Sequence, residues 1–303
     1  MSISSSTVAF PAQIPTLRPR ADRSWWWIAS RSVQGTWFLV LIHVGAVACF
    51  WSSPSGLDCW VAALLIPVRG LITTIAYHRY FAHRSFKTSR TVQFILACFC
   101  CTNVQRGPLW WAAIHRHHHR HSDGAADPHS PVQGGFVWAF CGWMFATLEE
   151  PNWDHVRDLR QFPELVWLER CWLVPPALLT AACWLLGGWG TLCMCFCVPA
   201  IAALHGASFV NTLGHLVGSR RYATPDRSRN SWLLAFVSFG DGWHNNHHHY
   251  PHAAQAGFFW WETDVSYRLI NLLARCGLVW GVRVVPPHKL RPAADSGPSA
   301  QIG

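Results

Sequence analysis

Apolar residues run through this chain in blocks, and block length separates two kinds of element. Four blocks, 32–51, 58–77, 171–189 and 190–210, match the roughly 20 helical residues that cross a bilayer core at about 1.5 Å each. "SSPSGL" joins the first two and "GGWG" the last two. Links so short, and polar or glycine-rich, predict two hairpins that each return to the side they came from. Three shorter apolar stretches, "TVQFILACFCCT" (91–102), "GGFVWAFCGWMFATL" (134–148) and "WLLAFVSFG" (232–240), predict helices lying in the interface or packed on a cap. The predicted fold is an all-α membrane protein with four transmembrane helices in two hairpins and a helical cytoplasmic cap. Its divisions are a tail with an interfacial segment at 1–31, an integral-membrane unit at 32–290 and a disordered tail at 291–303. No internal repeat is visible.

Composition agrees: 51% of 303 residues are hydrophobic and mean hydropathy is +0.14, too apolar for an ordinary soluble enzyme. Orientation follows from charge. Arg18, Arg20, Arg23 and Arg31 precede the first span, Arg220, Arg221, Arg227 and Arg229 follow the last, and the hairpin tips carry no Lys or Arg. Both termini and the long middle segment are therefore predicted to be cytoplasmic. The first 24 residues hold no apolar signal core, so the first span is expected to act as its own insertion signal, with "RSWWWIAS" as an aromatic anchor. Twelve cysteines, including "CMCFC" at 193–197, sit mostly in apolar spans, where Cys behaves as a small hydrophobe and implies no disulfide framework. The net charge of +9 suits an acidic redox partner, an anionic lipid surface or a phosphate-bearing substrate. Arg69, alone within the second span, needs a partner or a route to water.

Eighteen histidines are present, and most gather in four clusters: "HRYFAH" at 78–83, "HRHHHRH" at 115–121, "NTLGH" ending at His215, and "HNNHHHYPH" at 244–252. Each falls beside a span end or on a segment predicted to be cytoplasmic, so all four can converge, which a tag, a pH sensor or surface decoration would not require. Two clusters repeat H-x-x-H-H, as His115, His118, His119 and His244, His247, His248. On an α-helix, positions i+3 and i+4 straddle i, about 60° to one side and about 40° to the other. Two adjacent histidines can then address two different metal ions. His78 and His83, five apart, differ by roughly 140° and need a bend between them to meet. Nine convergent histidines exceed the four ligands of a structural zinc. Two irons with open positions could activate dioxygen. Asp123, Asp127 and Asp241 are candidates to orient the rings through their N–H groups; Asp127 and Asp241 read equally well as helix caps or turn residues.

In order, "YHRYFAHRSF", "GPLWWAAIHRHHHRHSDGAADPHSP", "NTLGHLVGSRRY" and "FGDGWHNNHHHYPHAAQAGFFWWETDVSY" resemble the membrane fatty acyl desaturases. The group in question holds stearoyl-CoA desaturases and bacterial and cyanobacterial Δ9 acyl desaturases. The resemblance spans 35–290. It implies two iron ions held by His78, His83, His115, His118, His119, His215, His244, His247 and His248, with Asn211 matching a position that holds a water on one iron. It also implies a division: His78, His83, His115, His119 and His248 on one iron, and His118, His215, His244 and His247 on the other. His117, His121, His129, His249 and His252 fall at non-ligand positions. His43 and His205, within spans, are expected to face the bundle interior.

The implied reaction draws hydrogen from two neighbouring methylenes of a saturated C16 or C18 acyl chain, leaving a cis double bond, with O2 as co-substrate. An unactivated C–H bond offers acid–base or nucleophilic chemistry nothing to act on, so a metal-derived oxidant is needed. Half the electrons that reduce O2 come from the chain and half from outside. The stretch after His252 carries no haem-binding, flavin or ferredoxin signature, so a separate ferredoxin or cytochrome b5 is the expected donor. No nucleic-acid role is expected. "GPLWWAA" and "GFFWWE" read equally as walls of an acyl slot or as interfacial anchors. A membrane hydroxylase or alkane monooxygenase would use similar chemistry, and a metal transporter would place its ligands along a path at mid-bilayer depth. Asp241 stands where the resembling proteins commonly have Glu.

Overall fold

A computed structural model describes residues 25–145 and 150–291, with side chains described from residue 37. The predicted tails up to residue 24 and from 292 onward, with Arg18, Arg20 and Arg23, lie outside the described residues, as do the side chains of Arg31 and of the "WWW" anchor.

The first predicted span is helix α1 (Trp25–Ala48), closed by a 3₁₀ turn at Cys49–Trp51. Helix α2 (Gly56–Ile72) starts on a reciprocal cap: the Asp58 amide donates to Ser55 Oγ (3.1 Å), and the Ser55 amide donates to the Asp58 carboxylate (2.8 Å). Rather than ending at 77, α2 widens into a π-helix over Thr73–Ala82, giving 27 residues from Gly56 to Ala82 that are long and apolar enough to cross a bilayer. The third and fourth predicted spans form one helical run of 43 residues, Val174–Leu216, also apolar enough to cross. Straight, it would be about 65 Å long, twice the ~30 Å hydrocarbon core. It is broken at Gly187 and Gly188, the latter at φ +66, where glycine carries no steric cost. Cys183 and Cys197, on either side of the break, both stand within electrostatic reach of Arg69, so the run folds back there.

The two hairpin tips meet. Thr191 donates to Asp58 Oδ1 (2.6 Å), and a β-carbon on Gly190 would lie only 3.0 Å from the Ser52 carbonyl. Outward-facing apolar side chains such as Leu185, Leu186 and Phe50 are more than four-fifths exposed. A continuous apolar surface of this kind is stable against lipid, not water. Arg69 is buried; it donates to the Thr102 carbonyl (3.0 Å) and lies over the Phe196 ring (4.9 Å).

The three interfacial stretches are helical as predicted, within Arg90–Thr102 (α3), Pro131–Phe145 and Trp232–Val237. Helix α4 (Pro108–His121) has Pro at its first position, and the Glu169 carboxylate accepts from the Leu109 and Trp110 amides (3.0 and 3.1 Å), satisfying the positive helix end. A two-residue antiparallel pair, Lys87–Thr88 with Val279–Trp280, ties the segment after α2 to the C-terminal part. Tyr77, Phe81, Leu109, Leu165, Leu168 and Ile270 are fully buried where α2, α3 and α4 pack together and against the shorter helices.

Candidate metal centre

The π-turn explains how His78 and His83 meet without the expected bend. Its hydrogen bonds close five residues apart, as His83 N to His78 O does (3.1 Å), so residues at that spacing stack on one face. α4 supplies His115, His118 and His119, the end of the Val174–Leu216 run supplies His215, and the short helix His244–His249 supplies the rest.

That short helix is anchored by residues the histidine pattern does not mention. Asn245 Oδ1 accepts from the Arg221 and Tyr222 amides (2.8 Å each), and Asn246 bonds Asn230 (2.7 Å) and Glu262 (2.8 Å). The two asparagines of "HNNHH" therefore clamp the box to the 219–230 loop. On its other side, Gly214 lets His244 approach closely: a β-carbon there would lie 2.8 Å from His244 Cδ2.

All nine predicted histidines converge, in two groups whose ring nitrogens lie within 4.8 Å of one another: His78, His83, His115, His119, His247, and His118, His215, His244, His248. His118 and His119 part as their helical spacing predicts. The division implied by the resemblance is corrected at one pair: His247 stands in the first group and His248 in the second. The reason is geometric. His244 and His248, four apart, share a face of their helix, while His247 turns to His78 (Nε2 to Nε2, 3.0 Å) and His119 (3.0 Å).

Four carboxylates fix the rings. Because an ionised carboxylate only accepts, each bonded Nδ1 must carry the hydrogen, which leaves Nε2 bare. Asp241 accepts from His78 (3.0 Å), Asp127 from His118 (3.0 Å) and Asp123 from His215 (2.8 Å), the three predicted acids. Asp127 also takes the Asp123 and His129 amides, so it is turn residue and ring partner at once. Asp241 accepts from Arg79 (2.9 Å), whose guanidinium also bonds Asp264 (3.0 Å). The fourth carboxylate, Asp226, accepts from His248 (2.5 Å), and sequence reasoning missed it. It lies in "TPDRSRN", where Pro and Ser neighbours read as a turn and no histidine stands nearby. Burial pushes Asp226, Asp127 and Asp123 up, but the bonds and charges of their histidines outweigh it and hold all three low. Burial, then mutual repulsion, pushes His83, His115, His119, His244 and His247 well below the usual imidazole value; burial, opposed by the Asp226 carboxylate, takes His248 to about 4, whereas Asp127 outweighs burial and holds His118 above the usual value.

These groups fit metal ions. In the first, Nε2 atoms approach at 2.9 Å (His83 and His115), 3.0 Å (His115 and His119) and 3.0 Å (His119 and His247). Without a metal, such a pair must share an N–H hydrogen; a cation among the rings takes its place and lets every Nε2 stay bare. Imidazoles bind ions such as zinc at about 2.1 Å, and two at right angles would be about 3.0 Å apart. In the second group, Nε2 of His118 and of His248 are buried with no hydrogen-bond partner.

Two cavities reach this centre. One is lined by Leu39, Gln105, Trp110, Trp143 and Met144; the other by Ile66, Gly70, Thr74, Ala203 and Val237. Trp111, His115, Ala207 and Asn211 line both. The "GPLWWAA" tryptophans are thus cavity walls, whereas Trp260 and Trp261 of "GFFWWE" are exposed. Of the non-ligand histidines, His117 and His249 bond backbone carbonyls and His252 is exposed. His129, also at a non-ligand position, is buried, its ring 4.5 Å from that of His118, and lines the first cavity. His43 and His205 face each other inside the bundle (3.2 Å), apart from both groups.

A model of the fatty acid desaturase family matches residues 54–263. The chain is 37% identical over 223 residues to an sn-2 palmitoyl-lipid 9-desaturase of Nostoc sp. (strain 36), covering 71% of this chain and 77% of the relative. It is 33% identical over 255 residues to an sn-1 stearoyl-lipid 9-desaturase of Anabaena variabilis (82% and 93%). It is 31% identical over 265 residues to an acyl-CoA C20 Delta5-desaturase of Anemone leveillei (85% and 85%).

Proposed function

This chain belongs to the fatty acid desaturase family and is an oxidoreductase, and we propose that it inserts a cis double bond at Δ9 of a saturated C16 or C18 acyl chain, with O2 as co-substrate and electrons from a separate donor protein. The observation that carries this reading is the junction of the two cavities at His115 and Asn211, beside both histidine groups. An acyl chain threaded through both arms would expose an internal methylene pair there. The nine histidines would hold two irons, His78, His83, His115, His119 and His247 the first and His118, His215, His244 and His248 the second, and Asn211 would hold a water. The irons would supply an oxidant, made from O2, strong enough to take hydrogen from an unactivated carbon. Asp241, Asp127, Asp123 and Asp226 keep the rings in one tautomer with Nε2 inward, and Trp111 and Ala207 hold the methylenes against the centre and exclude water. Four spans are proposed, with 32–290 as one membrane unit and the termini and histidine face cytoplasmic. The Δ9 position rests on the likeness to the two lipid 9-desaturases.

The test is double-bond location by mass spectrometry in cells expressing the protein with a ferredoxin or cytochrome b5 system. A cis Δ9 monoene absent from a His118→Ala control is the expected result. A hydroxylated chain would assign the protein to oxygen insertion instead, and a Δ5 product would overturn the regiochemistry alone.

A further inference from the structure

The segment from Val265 to Arg291 contains Arg268, Arg275, Arg283, Lys289 and Arg291 and no acidic residue. Its last part, 281–291, is a strap. The Arg283 amide donates to the Ser85 carbonyl (2.8 Å), the Arg283 carbonyl accepts from Ala254 (2.8 Å), the Lys289 carbonyl pairs with His249 Nε2 (3.1 Å), and the Leu290 carbonyl accepts from the Tyr222 hydroxyl (3.0 Å). The strap therefore crosses the outer side of the His244–His249 helix, whose inner side rests on Gly214 at the end of a long apolar helix. Through Ser85 it is also tied to the chain just beyond the end of α2, next to His83 of the first histidine group. Arg283, His288 and Arg291 are exposed, as are Lys87 and His252 next to the strap. Lys87, Arg283, Lys289 and Arg291 have no ion-pair partner among the described residues. His252 is within electrostatic reach of both Arg283 and the histidine-group residue His83.

We propose that strap 281–291, with Lys87 and His252, is the docking face for an acidic one-electron carrier protein that delivers electrons to the His78, His83, His115, His119, His247 group. The proposal rests on the desaturase reading above. Converting –CH2–CH2– to –CH=CH– releases two electrons and two protons, and reducing O2 to two waters takes four of each. Two electrons and two protons come from outside, so a one-electron carrier docks twice per turnover. Such encounters use small interfaces and gain their speed from complementary charge. The uncompensated cations supply that charge, and His252 is the exposed side chain among them within electrostatic reach of His83. An anionic lipid surface would also attract these cations, but it would not use their link to the histidine group through Ser85 and His252, and vesicle binding separates the two.

The experiment uses the full-length, iron-loaded protein in nanodiscs of zwitterionic lipid. Anaerobic reduction by an acidic [2Fe–2S] ferredoxin and by the soluble domain of cytochrome b5 is compared with reduction by dithionite, for the wild type and for Arg283→Glu/Lys289→Glu/Arg291→Glu. The expected result is at least a tenfold loss in the carrier-driven rate, with dithionite reduction and iron content unchanged. The neutral variant Arg283→Gln/Lys289→Gln/Arg291→Gln should be intermediate, and carrier binding to metal-free protein should weaken in the same order. Equal carrier rates in the variants and the wild type would overturn the proposal, also where the variants lose only their binding to phosphatidylglycerol vesicles. So would a wild type that dithionite reduces and neither carrier does. Failure of the dithionite-reduced wild type to desaturate an acyl chain in O2 would count against the desaturase reading and leave the docking result standing.

Discussion

The two histidine groups are built differently. The first has five imidazoles in a chain of contacts and one carboxylate, Asp241, whose charge is shared with Arg79. The second has four imidazoles and three carboxylates, Asp123, Asp127 and Asp226. Cationic charge is therefore better compensated in the second group, and its rings are more firmly set in one tautomer. Carboxylate-bonded imidazoles are stronger ligands, and loss of such a partner typically costs 10–100-fold in metal affinity. The second group should hold its ion more tightly, and the first should be the one whose charge changes more readily.

The largest effect that bears on this contrast comes from removing a ring. His118→Ala or His247→Ala should abolish desaturation and lower iron content, while replacing the exposed non-ligand His121 by Ala should leave both intact, as product analysis and elemental iron measurement would show. Equal activity across the three would remove the ligand assignment. Next in size, Asp226→Asn should weaken metal binding by about 10–100-fold at one of two sites. Asp241→Asn should do less, since four other imidazoles of its group keep their geometry; metal titration of both variants reads the difference.

Protonation offers a third way to test it. Six buried rings, His83, His115, His119, His244, His247 and His248, have folded values below their unfolded ones, against one, His118, held above by Asp127, so on balance the unfolded chain binds more protons as pH drops through about 6.5. Metal-free protein should be stable at pH 7.5 and lose stability from there toward pH 4, by up to about 1.4 kcal/mol per pH unit for each independent ring. Metal-loaded protein should resist this until the ions are displaced. Melting temperatures from pH 7.5 to 5.5 test it, and a flat profile in the metal-free protein would contradict the burial of neutral rings. The smallest change, Gly214→Ala, should push His244 aside and cost about 1–3 kcal/mol, read as a lower melting temperature.

Much of this architecture is legible in the sequence. Block length and glycine position revealed the elements, down to the break at Gly187 and Gly188, and helical spacing separated His118 from His119. The π-turn was not legible, because a hydrophobic run looks the same whether its hydrogen bonds close at four residues or five. Asp226 and the asparagine clamp were missed because their partners lie 22 and 16 residues away on a loop without periodicity. The placement of His247 and His248 was out of reach for a related reason. Spacing fixes which two of three histidines share a face, but how the helix docks decides which group that face meets.

The most direct measurement is iron-edge anomalous scattering from crystals of the iron-loaded protein. Two separate peaks are predicted, one among His78, His83, His115, His119 and His247 and the other among His118, His215, His244 and His248. A single peak, or a first-group peak bonded to His248 in place of His247, would contradict the account.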